Sequence, residues 1–271
     1  MFKKTGKLFI CLISVIALAF GCVGCGSTET EATSETAESK TCIGIIAALE
    51  VETNLLEEAL EDSKTETYAG VEFCSGTIGN YDVVVVQCGI GKVSAAACTQ
   101  AMISQYSPDY VINTGCAGAL SSDLDVGDIV IAEKTVEWDI DLQAIGYPLG
   151  YISALDSVEI EADAELAEKI SEFIPEDKTV CSGLIASGDE FISTKEQRDH
   201  ILENFPDALC AEMEGASVGH VCAQNGVPFC VIRSMSDNAD GDSGVSYEEF
   251  SEMAGEQSAE VLIEMLSNDG I

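Results

Sequence analysis

Apolar residues in this chain follow two rhythms. Short stretches rich in apolar residues occur at 41–49, 71–77, 81–88, 109–113, 126–132, 179–186 and 227–232, continuous at 41–49. Their β-branched content and lack of helical spacing predict buried strands. Between the runs, apolar positions recur at helical spacing over 50–61, 93–105, 163–173, 194–203, 211–224 and 246–266, which predicts helices. Strands alternating with helices on this scale mean an α/β fold with a mixed, largely parallel sheet. Two segments break both rhythms. The stretch 114–119, TGCAGA, predicts a small-residue loop that lets backbone approach a ligand, and 138–154 predicts a long surface loop bearing aromatics and glycines.

Ahead of the first run the pattern changes twice. Residues 1–7 carry Lys3, Lys4 and Lys7, residues 8–20 are an uncharged apolar run, and Gly21-Cys22-Val23-Gly24-Cys25 follows. That order predicts a secretory signal over 1–25, too short for a comfortable membrane span. The glycine before each cysteine resembles the lipobox of bacterial lipoproteins, which implies a lipid on Cys22 or Cys25 and an exported protein anchored to the membrane by that lipid. Residues 26–40 are small, polar and acidic, and predict a solvated tether. The folded domain is then expected over 41–271.

Composition narrows the partners. Against 12 Lys and Arg stand 48 Asp and Glu, a formal net charge of −36. Nucleic-acid binding rests on neutralising phosphates with cations, so this balance argues against it, and against highly anionic ligands. The domain's cysteines sit mostly among apolar neighbours, as in VVVVQCGI and VPFCVI, and are expected as small core residues. Export alone would favour disulfides. No cysteine pair has zinc-like spacing and His200 and His220 stand apart, so no metal site is expected.

Candidate chemistry gathers where predicted strands end. Arg233, Ser234, Ser236, Asp237 and Asp240 follow the run 227–232, at the edge where open parallel sheets place their ligand crevice. Ser-Asp-Asn is also ordinary turn chemistry. Glu52 falls at the first strand-to-helix junction, where a glutamate equally serves the helix dipole. The stretch Gly89-Ile90-Gly91-Lys92 lacks both the P-loop and the dinucleotide spacing. Glu52, Cys116 to Gly118, Phe191, Met213-Glu214 and Asp237 all follow predicted strands and can therefore converge.

Seven motifs occur in order: IGIIAALEVE, GIGKVSAA, NTGCAGAL, VGDIV, SGDEFI, AEMEGAS and RSMSDNAD. Together, over essentially all of 42–271, they resemble the bacterial 5′-methylthioadenosine/S-adenosylhomocysteine nucleosidases of the purine nucleoside phosphorylase superfamily. The resemblance implies a three-layer α/β/α sandwich, a homodimer, a nucleoside substrate and no cofactor. It makes Asp237 the acid that protonates adenine N7 and Glu52 the base that activates water. Met213 and Glu214 would hold the ribose, with Glu214 accepting from the 2′- and 3′-hydroxyls. Phe191 would stack on the purine, the backbone of Ile192 would bond its edge, and Gly118 would line the same pocket. Arg233 and Ser236 would position the water and the acid.

The chemistry asks for those residue types. Breaking an N-glycosidic bond develops positive charge on the sugar and negative charge on the leaving base. Adenine is a poor anion, so a carboxylic acid aimed at N7 lowers the barrier, and a second carboxylate can deprotonate the attacking water. Cys116 stands where the family commonly has serine, replacing a good hydrogen-bonding group with a weak one. Leu49 stands where methionine is common. Three other readings compete: a phosphorylase, a nucleosidase for another substrate such as futalosine, and a non-catalytic nucleoside-binding lipoprotein.

Overall fold

The computed structural model describes residues 40–239 and 243–271. The predicted signal, the lipobox cysteines, nearly all of the tether and Asp240 lie outside the described residues. Four strands form the centre: β1 (Cys42–Ala47), β4 (Tyr81–Gln87), β5 (Tyr110–Ala119) and β10 (Phe229–Asp237). β1 pairs in parallel with both β4 and β5, and β5 in parallel with β10. Successive side chains leave to opposite faces, as the pleat requires. Ile43, Ile45, Val83 and Val85 enter one core with Leu56, Ile170 and Leu262, while Ile46, Val84 and Val86 enter another with Met102 and Val218. Both faces are buried, which is why these strands read as continuous apolar runs.

The helices divide by face. α1 (Glu50–Ala59), α3 (Ala164–Ser171) and α6 (Ser243–Ser267) supply the first core, and α2 (Lys92–Tyr106) and α5 (Gly215–Asn225) the second. Helix, sheet and helix make the three expected layers. The remaining elements are β2 (Glu61–Tyr68), β3 (Val71–Ile78), β6 (Ile129–Glu137), β7 (Glu159–Glu161), β8 (Val180–Ser187), β9 (Ala208–Glu212) and α4 (Lys195–Asn204). Strand order is β10-β6-β8-β9-β5-β1-β4-β3-β2, with β7 on β6. Because β10 also pairs with β5, the path β5-β9-β8-β6-β10 returns on itself. This closure draws the ends of β5, β8, β9 and β10 around one space.

The structure departs from the predicted elements at instructive places. The stretch 114–119 is strand, continuing β5, and 233–237 is the second half of β10. Both looked irregular because small and polar residues replace the apolar run exactly where strands stop facing core and start facing a cavity; pairing from Ile232 opposite Thr114 to Asp237 opposite Gly118 holds them extended. β2, EDSKTETY, is polar and mostly exposed because it is an edge strand paired only to β3. β9 is buried but only five residues long; its last two residues fall in the helix predicted over 211–224, and the rest lie between predicted elements. The nine cysteines of the described residues are all free, and Cys88, Cys98, Cys210, Cys222 and Cys230 are buried. Among the described residues no helix is long and apolar enough to cross a membrane.

Candidate active site

A cavity of about 360 Å³ opens where β5, β9 and β10 meet the start of α1, and Glu52, Glu214 and Asp237 all line it. Each of the three is at least nine-tenths buried. With Glu212, also buried, four carboxylates withdrawn from water surround one space; they require specific partners, and each has a different set.

Glu52 sits in the first turn of α1. Its Oε2 accepts from the backbone N–H groups of Ala48 and Leu49, both at 2.9 Å, and its Oε1 accepts from the N–H of Cys116 at 3.1 Å. Part of this is helix capping, since Leu49 is the N-cap and its side chain makes no cap bond. The contact to β5 is not. A Cβ added at Gly115 would lie 2.6 Å from Glu52 Oε1, so the glycine makes room for the carboxylate.

Glu212 and Arg233 form the floor beside Glu214. Arg233, 1% exposed, donates to Thr114 O at 3.0 Å, to Asn113 Oδ1 and to Glu212 Oε2, and its Nη2 lies 3.6 Å from Glu214 Oε2. Burial works against the guanidinium charge, but the carboxylates of Glu212, Glu214 and Glu52 outweigh it and hold the group above its ordinary range. Glu212 Oε2 also accepts from the N–H groups of Glu214 and Gly215, at 2.9 and 2.8 Å, while Ser187 donates to its Oε1. Glu212 therefore shapes the turn that presents Met213 and Glu214 to the cavity. Glu214 accepts from the Gly91 N–H at 2.8 Å. Burial first, then the Glu212 carboxylate, push it up to about 7, against the lowering pull of Arg233.

Asp237 ends β10, after a register shift between Met235 and Asp237 that turns the strand at its tip. Its Oδ2 accepts from the Ser236 hydroxyl at 3.0 Å and its Oδ1 from the Ala239 N–H at 2.8 Å. A Cβ at Gly118 would lie 2.8 Å from Asp237 Oδ1, so the second glycine of TGCAG clears space for this side chain. Glu52 is bonded to β5 at Cys116 and Asp237 lies opposite Gly118. The two contacts are thus two residues apart along one strand, about 7 Å of rise.

Cys116, Phe191, Met213 and Ser236 line the cavity too. Burial first, then the Glu52 carboxylate, raise the Cys116 thiol, so it serves as a neutral wall. Phe191 is 42% exposed and meets Tyr247 edge to face, ring centroids 5.4 Å apart. Two expected site residues are not in the cavity wall. Arg233 lies beneath it, and Ile192 packs into a third core with Trp138, reaching only a side recess of about 30 Å³ shared with Gly118 and Asp237. Three residues were missed in the sequence: Glu212, Tyr247 and Ile90. Glu212 and Ile90 had a signal, since they lie in the AEMEGAS and GIGKVSAA motifs; Tyr247 had none, being one aromatic residue in a helical run.

Comparison with known proteins places this geometry. The model of the phosphorylase superfamily matches residues 42–267. A 5′-methylthioadenosine/S-adenosylhomocysteine nucleosidase of Shewanella halifaxensis is 43% identical over 227 residues, covering 83% of this chain and 98% of the relative. One from Staphylococcus saprophyticus is 42% identical, covering 81% and 96%. Among solved structures, the S-adenosylhomocysteine nucleosidase of Streptococcus pyogenes, in complex with 5-methylthiotubericidin, superposes with a TM-score of 0.82 at 33% identity, covering 86% of this chain and 98% of that one. The Neisseria meningitidis nucleosidase with methylthio-immucillin-A gives 0.81 at 34% identity, over 84% and 99%. The chain belongs to the phosphorylase superfamily and, within it, to the 5′-methylthioadenosine/S-adenosylhomocysteine nucleosidases.

Proposed function

We propose that the protein hydrolyses the N-glycosidic bond of 5′-methylthioadenosine and S-adenosylhomocysteine, with 5′-deoxyadenosine as a further substrate. The observation that carries the reading is the buried pair Glu52 and Asp237 on one cavity, with the ribose acceptor Glu214 beside them. Asp237 gives its proton to adenine N7 as the C1′–N9 bond breaks, and Ser236 orients it. Glu52 takes a proton from the water whose oxygen bonds C1′. Adenine and the 5-substituted ribose leave, and the two carboxyl groups exchange their protons through solvent. Phe191 stacks on the purine, Met213 packs on the ribose, and no cofactor takes part.

Water is favoured over phosphate as nucleophile. No Lys, Arg or His lines the cavity among the described residues, and a phosphate dianion would face Glu52. Arg233 is already committed to Glu212, Asn113 and Thr114. Adenine release from methylthioadenosine in phosphate-free buffer, beside Asp237→Asn, tests the reading. Release that needs phosphate makes the protein a phosphorylase; tight binding without release makes it a solute-binding lipoprotein.

The basic, apolar and Gly-Cys segments of residues 1–25 support an exported protein carried on a lipid at Cys22 or Cys25. Labelled fatty acid should enter the full chain and be lost in one of Cys22→Ser and Cys25→Ser. The exposed apolar side chains Ile90, Val93, Ile145 and Tyr147 support a homodimer, and sedimentation equilibrium should return twice the chain mass.

A further inference from the structure

Lys92 takes no part in the chemistry above, yet its side chain is only 13% exposed. Its ammonium donates to Glu137 Oε2 at 3.1 Å and to Asp139 Oδ1. Its backbone N–H donates to Asp189 Oδ1 at 2.8 Å, and the Asp189 N–H donates to Asp139 Oδ2 at 2.9 Å. Lys92, Asp139 and Asp189 therefore close a ring across three places distant in sequence: the first residue of α2, the segment after β6 and the segment after β8.

Two of those places adjoin pocket residues. Gly91, next to Lys92, gives its N–H to Glu214, and Asp189 precedes Phe191 by two positions. Gly91 has φ +98, and a Cβ there would lie 3.0 Å from Asp189 Oδ1, so glycine is needed for both bonds to form at once. A second anchor runs to the helix that Glu214 caps: Glu137 Oε1 is 2.8 Å from His220 Nδ1 on α5. The network runs from buried Glu137 through partly buried Lys92 and Asp139 to exposed Asp189, and it resists rotation because it is bonded at both ends, so that any rotation breaks more than one charge-assisted bond.

We propose that Lys92, Asp139 and Asp189 are positioning residues that set the distance between the ribose acceptor Glu214 and the stacking ring Phe191 to that of one nucleoside. The ring touches neither base nor sugar. It acts on the relation between two subsites, so its loss weakens a ligand that spans both more than one that fills a single subsite. This rests on the nucleosidase reading.

The test compares Asp189→Ala with Asp189→Asn, which keeps an acceptor oxygen for the Lys92 N–H. Asp189 is exposed, and thermal melting should confirm that both variants fold. KM and kcat for methylthioadenosine and inhibition by adenine are measured. Asp189→Ala should raise KM about tenfold, the scale of one charge-assisted bond. Inhibition by adenine should stay within about twofold, the scale of a remote surface change. Asp189→Asn should recover most of the loss, and Asp139→Asn should reproduce the split between nucleoside and adenine. An unchanged KM in Asp189→Ala, or equal losses for nucleoside and adenine, overturns the proposal. Wild-type protein that binds methylthioadenosine without cleaving it removes the nucleosidase reading alone, and the same split is then read from Kd.

Discussion

Glu52 receives backbone N–H groups from Ala48, Leu49 and Cys116, whereas Glu214 receives one, from Gly91, and leans on an arginine it shares with Glu212. Both face the same cavity and both are buried. The Glu52 corner is built from backbone donors that do not titrate, and its geometry is set once α1 packs on the sheet and Glu52 reaches the Cys116 N–H of β5. The Glu214 corner is built from side chains that compete: two carboxylates and one guanidinium. The first arrangement suits a base that must meet water at a fixed point. The second makes an acceptor whose protonation responds to its neighbours.

The largest effect that separates the corners is on turnover. Glu52→Gln should lower kcat by about 10²- to 10⁴-fold, the range of a lost general base. Glu214→Gln should act mainly on KM for the nucleoside, measured in the same adenine-release assay. If both variants lose only kcat, the two corners do not divide the work. Stability should reverse the ranking of the corners. Arg233→Met leaves Glu212 and Glu214 buried without their cation and should cost about 3–5 kcal/mol, read from denaturant melts. Glu52→Gln also takes away one carboxylate that holds the Arg233 charge, but Glu212 and Glu214 remain beside the guanidinium, so the loss should be smaller.

The pH response sharpens the contrast. Glu214 is raised from 4.5 to about 7, so between these values the folded protein holds a proton that the unfolded chain has released. The stability it contributes is present below 4.5 and is lost as pH rises toward 7. Under the proposed ribose role of Glu214, binding runs the other way, because the ribose hydroxyls need an ionised acceptor. A plot of kcat/KM against pH should therefore carry an acid limb near 7, and Glu212→Gln should move that limb down by removing the neighbouring negative charge. A limb that stays in place would assign it to another group. The smallest effect is expected at Cys116→Ser. A hydroxyl in place of a raised, neutral thiol adds a better hydrogen-bonding group, and KM should fall no more than about threefold, with kcat unchanged.

Much of this was legible before the structure. Continuous runs such as IGIIAA and VVVV announced strands buried on both faces, and the strand-to-helix switch at Glu50 located the start of α1 correctly. The seven motifs pointed to the family and to the carboxylates. The reading failed where local pattern and tertiary role diverge. The pattern of TGCAGA predicts a loop and RSMSD lies beyond the apolar run, yet both are paired strand. Their composition is that of a cavity floor, where side chains are omitted to admit a ligand and its carboxylates. Polar β2 could not be seen as a strand, because an edge that faces water carries no apolar signature.

Sequence alone determined the α/β class, the two apolar faces of the central strands and the residue types available for chemistry, because each depends on spacing within a few residues. Only the tertiary structure decided that Arg233 lies under the cavity and is held by Glu212, that Gly115 and Gly118 clear space for Glu52 and Asp237, and that Lys92 joins Asp139 to Asp189. Each of those pairings spans tens of residues or more. Such contacts exist only after the sheet has closed on itself, and a one-dimensional pattern holds no distance between residues that far apart.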